Sequence, residues 1–180
     1  MRNKLLILLL SFLFINSTAV ATTFNFEAKN LEIMESGNLI TADEGKAVSS
    51  DNNLYIESDK FEYIKDLDIL KTFGNGYLFI KSKNFKINFD NAVIDQKKLI
   101  IEARGNVIIY DLDNKFEIQT EKMIYNQKNF EIKTIGKVII NRSNKELLIE
   151  SNSITYNERE SIIKSENTSV IKDNQNNTYY

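Results

Sequence analysis

The chain has 180 residues with 23 Lys and Arg against 25 Asp and Glu, and it contains no His, Cys, Trp or Pro. The absence of His and Cys excludes disulfides and removes most zinc, copper and haem ligands, the usual general base and thiol nucleophiles. Acids and bases are interspersed, so neither a basic stripe for nucleic acid nor a polybasic arm for anionic lipid is present, and no nucleic-acid partner is expected.

Arg2 and Lys4 open the chain, residues 5–15 are apolar except for Ser11, and Ala19-Val20-Ala21 follows. A short positive region, an apolar core too short for the ~20 residues of a membrane-spanning helix, and a small-x-small site predict a secretory signal peptide over 1–21. No Cys stands at the cleavage point, so no lipid-anchored product is expected. The remaining 22–180 are enough for one β domain with a sizeable core. They carry 21 basic and 25 acidic residues, a net charge of −4.

From Thr22 onward the pattern is that of strands. Residues 24–28, 54–57, 85–89, 116–119 and 130–133 alternate apolar with polar side chains, are rich in aromatic and β-branched residues, and are separated by Asn, Asp, Gly and Lys clusters. No long stretch shows helical spacing. Self-comparison reveals a step of thirty-one residues. It relates Gly74, Gly105 and Gly136, with Asn167 in the fourth place. It also relates Ile56, Ile87, Ile118 and Ile149; Tyr63, Ile94, Tyr125 and Tyr156; and Leu70, Ile101, Ile132 and Ile163. Asn tolerates the left-handed backbone that Gly favours, so the fourth place keeps the conformational role.

The clearest copy runs from Ile118 to Asn141. Met123 and Tyr125 end one strand, 126–129 form a polar turn, Phe130 and Ile132 belong to a second strand, Gly136 breaks the chain, and Val138 and Ile140 begin a third. The next copy has a strand at 154–156, a turn at 157–160 and a strand at 162–164. Four-residue turns suit antiparallel hairpins. One apolar face per unit cannot be buried alone, so the units are expected to stack into a long β structure with an apolar interior.

Gly105-Asn106-Val107-x-Ile109, preceded by the alternating residues 99–103, resembles the A-x-G-N-V strand signature of the OstA-like family. The apolar-x-Ser/Thr-x-x-apolar-x-Tyr run at 56–63, 118–125 and 149–156 does so too. That family comprises the periplasmic lipopolysaccharide-transport bridge protein and the N-terminal domain of the outer-membrane lipopolysaccharide-assembly protein. The resemblance covers roughly residues 24–180 and implies an elongated β-jelly roll, open at both ends, that holds lipopolysaccharide acyl chains over the expected domain 22–180. It implies a periplasmic location, outer-membrane association for the assembly-protein version, and joining to other jelly-roll proteins of the bridge, or to its own copies, by edge-strand addition. The chain departs from the pattern at Gly74-Asn75-Gly76, which lacks the Val, at Gly136-Lys137, at Asn167, and at Ala92 and Ile94, where the second unit lacks its aromatic pair.

Carboxylates are the remaining catalytic candidates. Asp51, Glu57 and Asp59, or Asp111 and Asp113, could act as acid and base or bind calcium, but Asp111-Leu112-Asp113-Asn114 reads more simply as a turn. No phosphate-cradling loop or nucleophile elbow occurs, and neither enzymatic activity nor a cofactor is expected. Lipid chains need only an apolar lining, for which the inward positions are candidates: Phe61, Tyr63, Leu78, Phe85, Ile87, Phe89, Ile101, Val107, Ile109, Phe116, Ile118, Met123, Tyr125, Ile132, Val138 and Ile140. A slip of one residue would invert this set. Two other functions fit the same pattern: an exported structural or adhesive β-solenoid with a solid core, and a periplasmic carrier of another lipid.

Overall fold

A computed structural model describes residues 24–142, 147–165, 168–173, 175 and 177–179. The expected signal peptide and Asn167 lie outside the described residues. Fourteen strands are described, all antiparallel and all in one sheet: β1 Phe24–Met34, β2 Leu39–Ser49, β3 Leu54–Ile64, β4 Ile69–Ile80, β5 Phe85–Asp95, β6 Ile100–Asp111, β7 Phe116–Asn126, β8 Glu131–Ile135, β9 Val138–Arg142, β10 Leu147–Ser151, β11 Ile154–Asn157, β12 Ile162–Ser165, β13 Val170–Asp173 and β14 Thr178–Tyr179. From β1 to β7 each strand pairs with the next through a four-residue connection. The fold is all-β, with the stacked hairpin units that the thirty-one-residue step predicts, and its long open antiparallel sheet is consistent with the elongated open jelly roll that the resemblance implies.

Long strands in this meander are bent at their midpoints. Pairing shifts register between Phe73 and Gly76 of β4 and between Arg104 and Val107 of β6. The extra residues at these bulges are Gly74-Asn75 and Gly105-Asn106, all with positive φ (+77° and +43°, +75° and +46°). A Cβ on Gly105 would lie 2.3 Å from Asp90 Oδ2, and one on Gly74 would lie 2.5 Å from Asp59 Oδ2. Glycine is therefore required by backbone conformation and by close approach together. The following Asn holds the same carboxylate: Asn75 Nδ2 donates to Asp59 Oδ2 at 2.8 Å, and Asn106 Nδ2 to Asp90 Oδ2 at 3.0 Å.

Opposite each bulge the alternation of the unbulged partner strand shifts by one residue. In β5 the inward residues are Phe85, Ile87 and Phe89, then Ala92 and Ile94; in β7 they are Ile118 and Thr120, then Met123 and Tyr125. Both halves of every long strand thus turn their apolar side inward, and the sheet folds along the line of bulges so that one half faces the other. Ring contacts span the fold: Phe24 meets Tyr63 edge-on at 5.5 Å, Phe26 meets Phe61 at 5.9 Å, and Phe116 meets Tyr156 at 4.9 Å. Each pair joins the N-terminal half of one strand to the C-terminal half of another.

Phe130 departs from the sequence reading. It sits in the turn between β7 and β8 with φ +58°, not in a strand. Its ring lies under two cations, Lys83 Nζ at 4.3 Å and Arg159 Cζ at 4.2 Å, and an aromatic face held this way replaces a place in the core. Val138 and Ile140 begin β9, which pairs with the first half of β7 while β8 pairs with its second half. Together β8 and β9 take the place of one bent strand, interrupted at Gly136-Lys137.

Candidate functional site: an apolar interior and its two ends

All sixteen inward candidates lie on the inner face. Fifteen are almost wholly buried, at 0–3% exposure, and Phe116 is half-buried. Along β3 to β7 the interior is closed by Ile56, Leu70, Leu78, Ile87, Ile94, Ile101 and their neighbours, none of which reaches solvent. At the C-terminal end it opens. There a cavity of about 160 Å³ lies between the two halves, lined by Phe116, Ile140, Ile149, Tyr156 and Ile163, with Asn114, Arg142 and Ser161 among its lining residues. Of the sixteen candidates, only Phe116 and Ile140 border it.

Ile149, Tyr156 and Ile163 were not among the sixteen, although they occupy the repeat registers of Ile118, Tyr125 and Ile132. The thirty-one-residue step is the signal that finds them. The cavity is smaller than the roughly 300–1,000 Å³ of a site that encloses a drug-sized ligand, so it matches a segment of a chain and not a whole lipid.

The opening has a defined topological cause. Beyond β9 the two halves of the sheet part company: β11 pairs with β8 and β12, whereas β10 pairs with β9 and β13. The short strands cover less of the interior, and Ile149 and Ile163 remain half-buried. Among the described residues the N-terminal end is also uncovered. Among the described strands β1 pairs only with β2, and it exposes Leu31, Ile33 (63%) and Met34.

Polar groups tie the two rows of turns together on the side opposite the bulges. Tyr156 donates its hydroxyl to Asp111 Oδ2 at 3.0 Å, and Asn114 Nδ2 reaches the same hydroxyl at 3.1 Å. Tyr125 donates to Glu158 Oε2 at 2.9 Å, and Glu158 Oε1 pairs with Lys83 Nζ at 2.8 Å, with side chains 17% and 23% exposed. Burial and the carboxylate it bonds push each phenol far above its ordinary range, with Glu158 acting on Tyr125 and Asp111 on Tyr156. Tyr63 is raised in the same way by burial and Asp68.

No protein-family model matches this chain, and no curated protein matches its sequence. Its structure is similar to the crystal structure of LptH, the LptA homologous periplasmic component of the conserved lipopolysaccharide transport device from Pseudomonas aeruginosa. That match has 8% identity, covers 82% of this chain and 84% of that one, and has a TM-score of 0.33.

The carboxylates weighed in the sequence have structural partners. Asp51 accepts from Ser49 and from the backbone N–H of Asn53, and Asp59 holds the bulge at Gly74-Asn75. Glu57 accepts from Tyr55. Asp111 caps its turn by accepting from the N–H groups of Asp113 and Asn114. Asp113 accepts from Asn84 at 2.8 Å. Among the described residues no group of three or more acidic side chains could hold a metal ion, and no helix is long and apolar enough to cross a membrane.

Proposed function

We propose that this chain is a periplasmic lipid-binding transport protein that shields the acyl chains of lipopolysaccharide on their way to the outer membrane. The observation that carries this reading is the apolar interior that opens between the sheet halves at Phe116, Ile140, Ile149, Tyr156 and Ile163. Its lining is non-polar and non-directional, which suits a hydrocarbon chain: burial contributes about 25 cal/mol per Å² without requiring hydrogen bonds. The phase-locked motifs shared with the OstA-like family support lipopolysaccharide as the cargo. Chains enter at the C-terminal mouth, where the interior opens between the two halves.

The exposed edge of β1 and the uncovered residues Leu31, Ile33 and Met34 support joining to another jelly-roll protein, or a second copy, by strand addition. A second reading, a structural β-solenoid with a solid core, is favoured by the complete burial of the interior from β3 to β7.

Site-specific photo-crosslinking in living cells separates the two. Probes at the inward positions Phe116 and Ile109 should give lipopolysaccharide adducts, while probes at their outward neighbours Glu117 and Ile108 should not. Absence of adducts at both inward positions, in exported and folded protein, would leave the interior a solid core.

A further inference from the structure

Four turns meet on the side where the two halves of the sheet close. Three follow one another along one row, 65–68, 96–99 and 127–130: the Gln96 N–H donates to the Asp68 carbonyl at 3.1 Å, and the Gln127 N–H to the Leu99 carbonyl at 2.9 Å. The fourth, 81–84, belongs to the other row and is held against them by Lys83, whose Nζ lies 4.3 Å from the centre of the Phe130 ring. Together the four turns carry Lys65, Lys81, Lys83, Lys97, Lys98 and Lys128 against two acids, Asp66 and Asp68. The rest of 22–180 has 15 basic and 23 acidic residues, so an acidic chain presents one basic edge. These lysines are scattered in the sequence, and the docking of turn on turn is what gathers them.

All six lysines but Lys83 are exposed, whereas Asp68 is buried and accepts the Tyr63 hydroxyl at 2.8 Å. Two large apolar side chains stand among them: Leu67 is 52% exposed and Leu99 42%. Successive turns of one row are two strands apart, which sets these leucines about 10 Å from each other along the edge. Flexible ammonium groups around separate leucines suit a fluid layer of phosphates over hydrocarbon, where no fixed geometry has to be matched. We propose that this edge docks the protein on an anionic bilayer, with Leu67 and Leu99 entering the headgroup layer and the lysines lying on lipid phosphates. Apolar insertion and charge attraction are each weak and reversible alone, and the edge supplies both. The stacking direction of the strands then runs along the bilayer surface.

Co-sedimentation of the exported protein with vesicles tests it, in membranes free of lipopolysaccharide, so that the outcome is independent of the cargo reading. Vesicles of equal parts phosphatidylcholine and phosphatidylglycerol should bind the protein at low salt and release it as salt screens the lysines. Pure phosphatidylcholine should bind it at least about tenfold more weakly. Lys65→Gln and Lys128→Gln together should weaken binding about twentyfold, at about fivefold per charge, and Leu67→Ser about fivefold. Leu112→Ser, at an exposed leucine of a turn outside the four, should change nothing. Equal binding to both vesicles, binding to neither, or equal losses from Leu112→Ser and Leu67→Ser would overturn docking. Release by monomeric dioctanoyl phosphatidylglycerol would mean capture of single lipids and would overturn it as well. A dimer that forms in sedimentation velocity without vesicles, and is abolished by Leu67→Ser, would assign the edge to a second copy in place of the bilayer.

Discussion

The middle of the molecule and its C-terminal part are built from the same repeat, yet one is closed and the other is open. Strands β3 to β7 run eleven or twelve residues through their bends without interruption, whereas the equivalent C-terminal positions are occupied by pairs of strands of four or five residues. Sequence at the bend separates the two regions. In the middle, Gly-Asn supplies two left-handed residues and an amide that grips Asp59 or Asp90. At the third bend Gly136 is followed by Lys137, Glu121 takes the place of Asp, and the strand breaks into β8 and β9. A bent strand stays continuous where its corner is tied down. Where the corner is untied, the half-sheets end independently and expose the space between them.

The largest expected contrast lies at the bends. Gly105→Val combines strain at φ +75° with displacement of Asp90, each costing roughly 1–3 kcal/mol, for a loss of about 4 kcal/mol in urea unfolding. Gly136→Val should cost about half as much, because its nearest obstacle is the flexible end of Glu121 at 2.8 Å. Equal losses would mean that corner chemistry does not separate the regions.

Next come two isoleucines in the same repeat register. Ile101→Ala in the closed interior should cost about 3 kcal/mol, and Ile163→Ala at the mouth under about 1.5 kcal/mol, by the same unfolding measurement. Tyr156→Phe should cost about 1–2 kcal/mol by removing the hydroxyl from Asp111. The phenols of Tyr63, Tyr125 and Tyr156 have raised folded pKa values, so their stabilisation is full below the unfolded value near 10 and is lost as pH rises towards the folded values. In an alkaline absorbance titration these three should remain protonated until the fold opens.

Smaller effects belong to the ion pairs. Lys83→Gln should cost about 1 kcal/mol, since the pair with Glu158 is only partly shielded from water. Glu102 is raised by burial but lowered further by Arg104 and Lys122, so its carboxyl ends below its ordinary range. Its contribution is present above the unfolded value of about 4.3 and is lost as pH falls through the folded one. The stability difference between native protein and Glu102→Gln should therefore shrink on acidification; a constant difference from pH 7 to 3 would refute it.

Much of this was legible in the sequence because a repeat averages over local ambiguity. Ile56, Ile87 and Ile118 recur at one step, and any one of them fixes the facing of the others, which is why all sixteen inward assignments fall on the inner face. The bends were legible as glycines but not as corners. Nothing in a single strand announces that Asp59 or Asp90, fifteen residues upstream, will hold the glycine's turn. Phe130 was misplaced because an aromatic beside alternating residues reads as core, while the two cations that claim its ring come from distant turns. The mouth was illegible for a related reason: Ile149 and Ile163 look like Ile118 and Ile132, and their exposure depends on which strands follow them.

The pairing order has a consequence for how the molecule comes into being. From β1 to β7 each strand hydrogen-bonds to the strand that precedes it in the chain. A polypeptide delivered N-terminus first, from a ribosome or a pore, can add one strand at a time to a single growing edge, and no early strand must wait for a late partner. Only the last stretch breaks this sequence, because β9 pairs back with β7, β8 is completed by β11 and β10 by β13. The nascent chain therefore zips shut from its beginning, and the mouth is the last part to take shape.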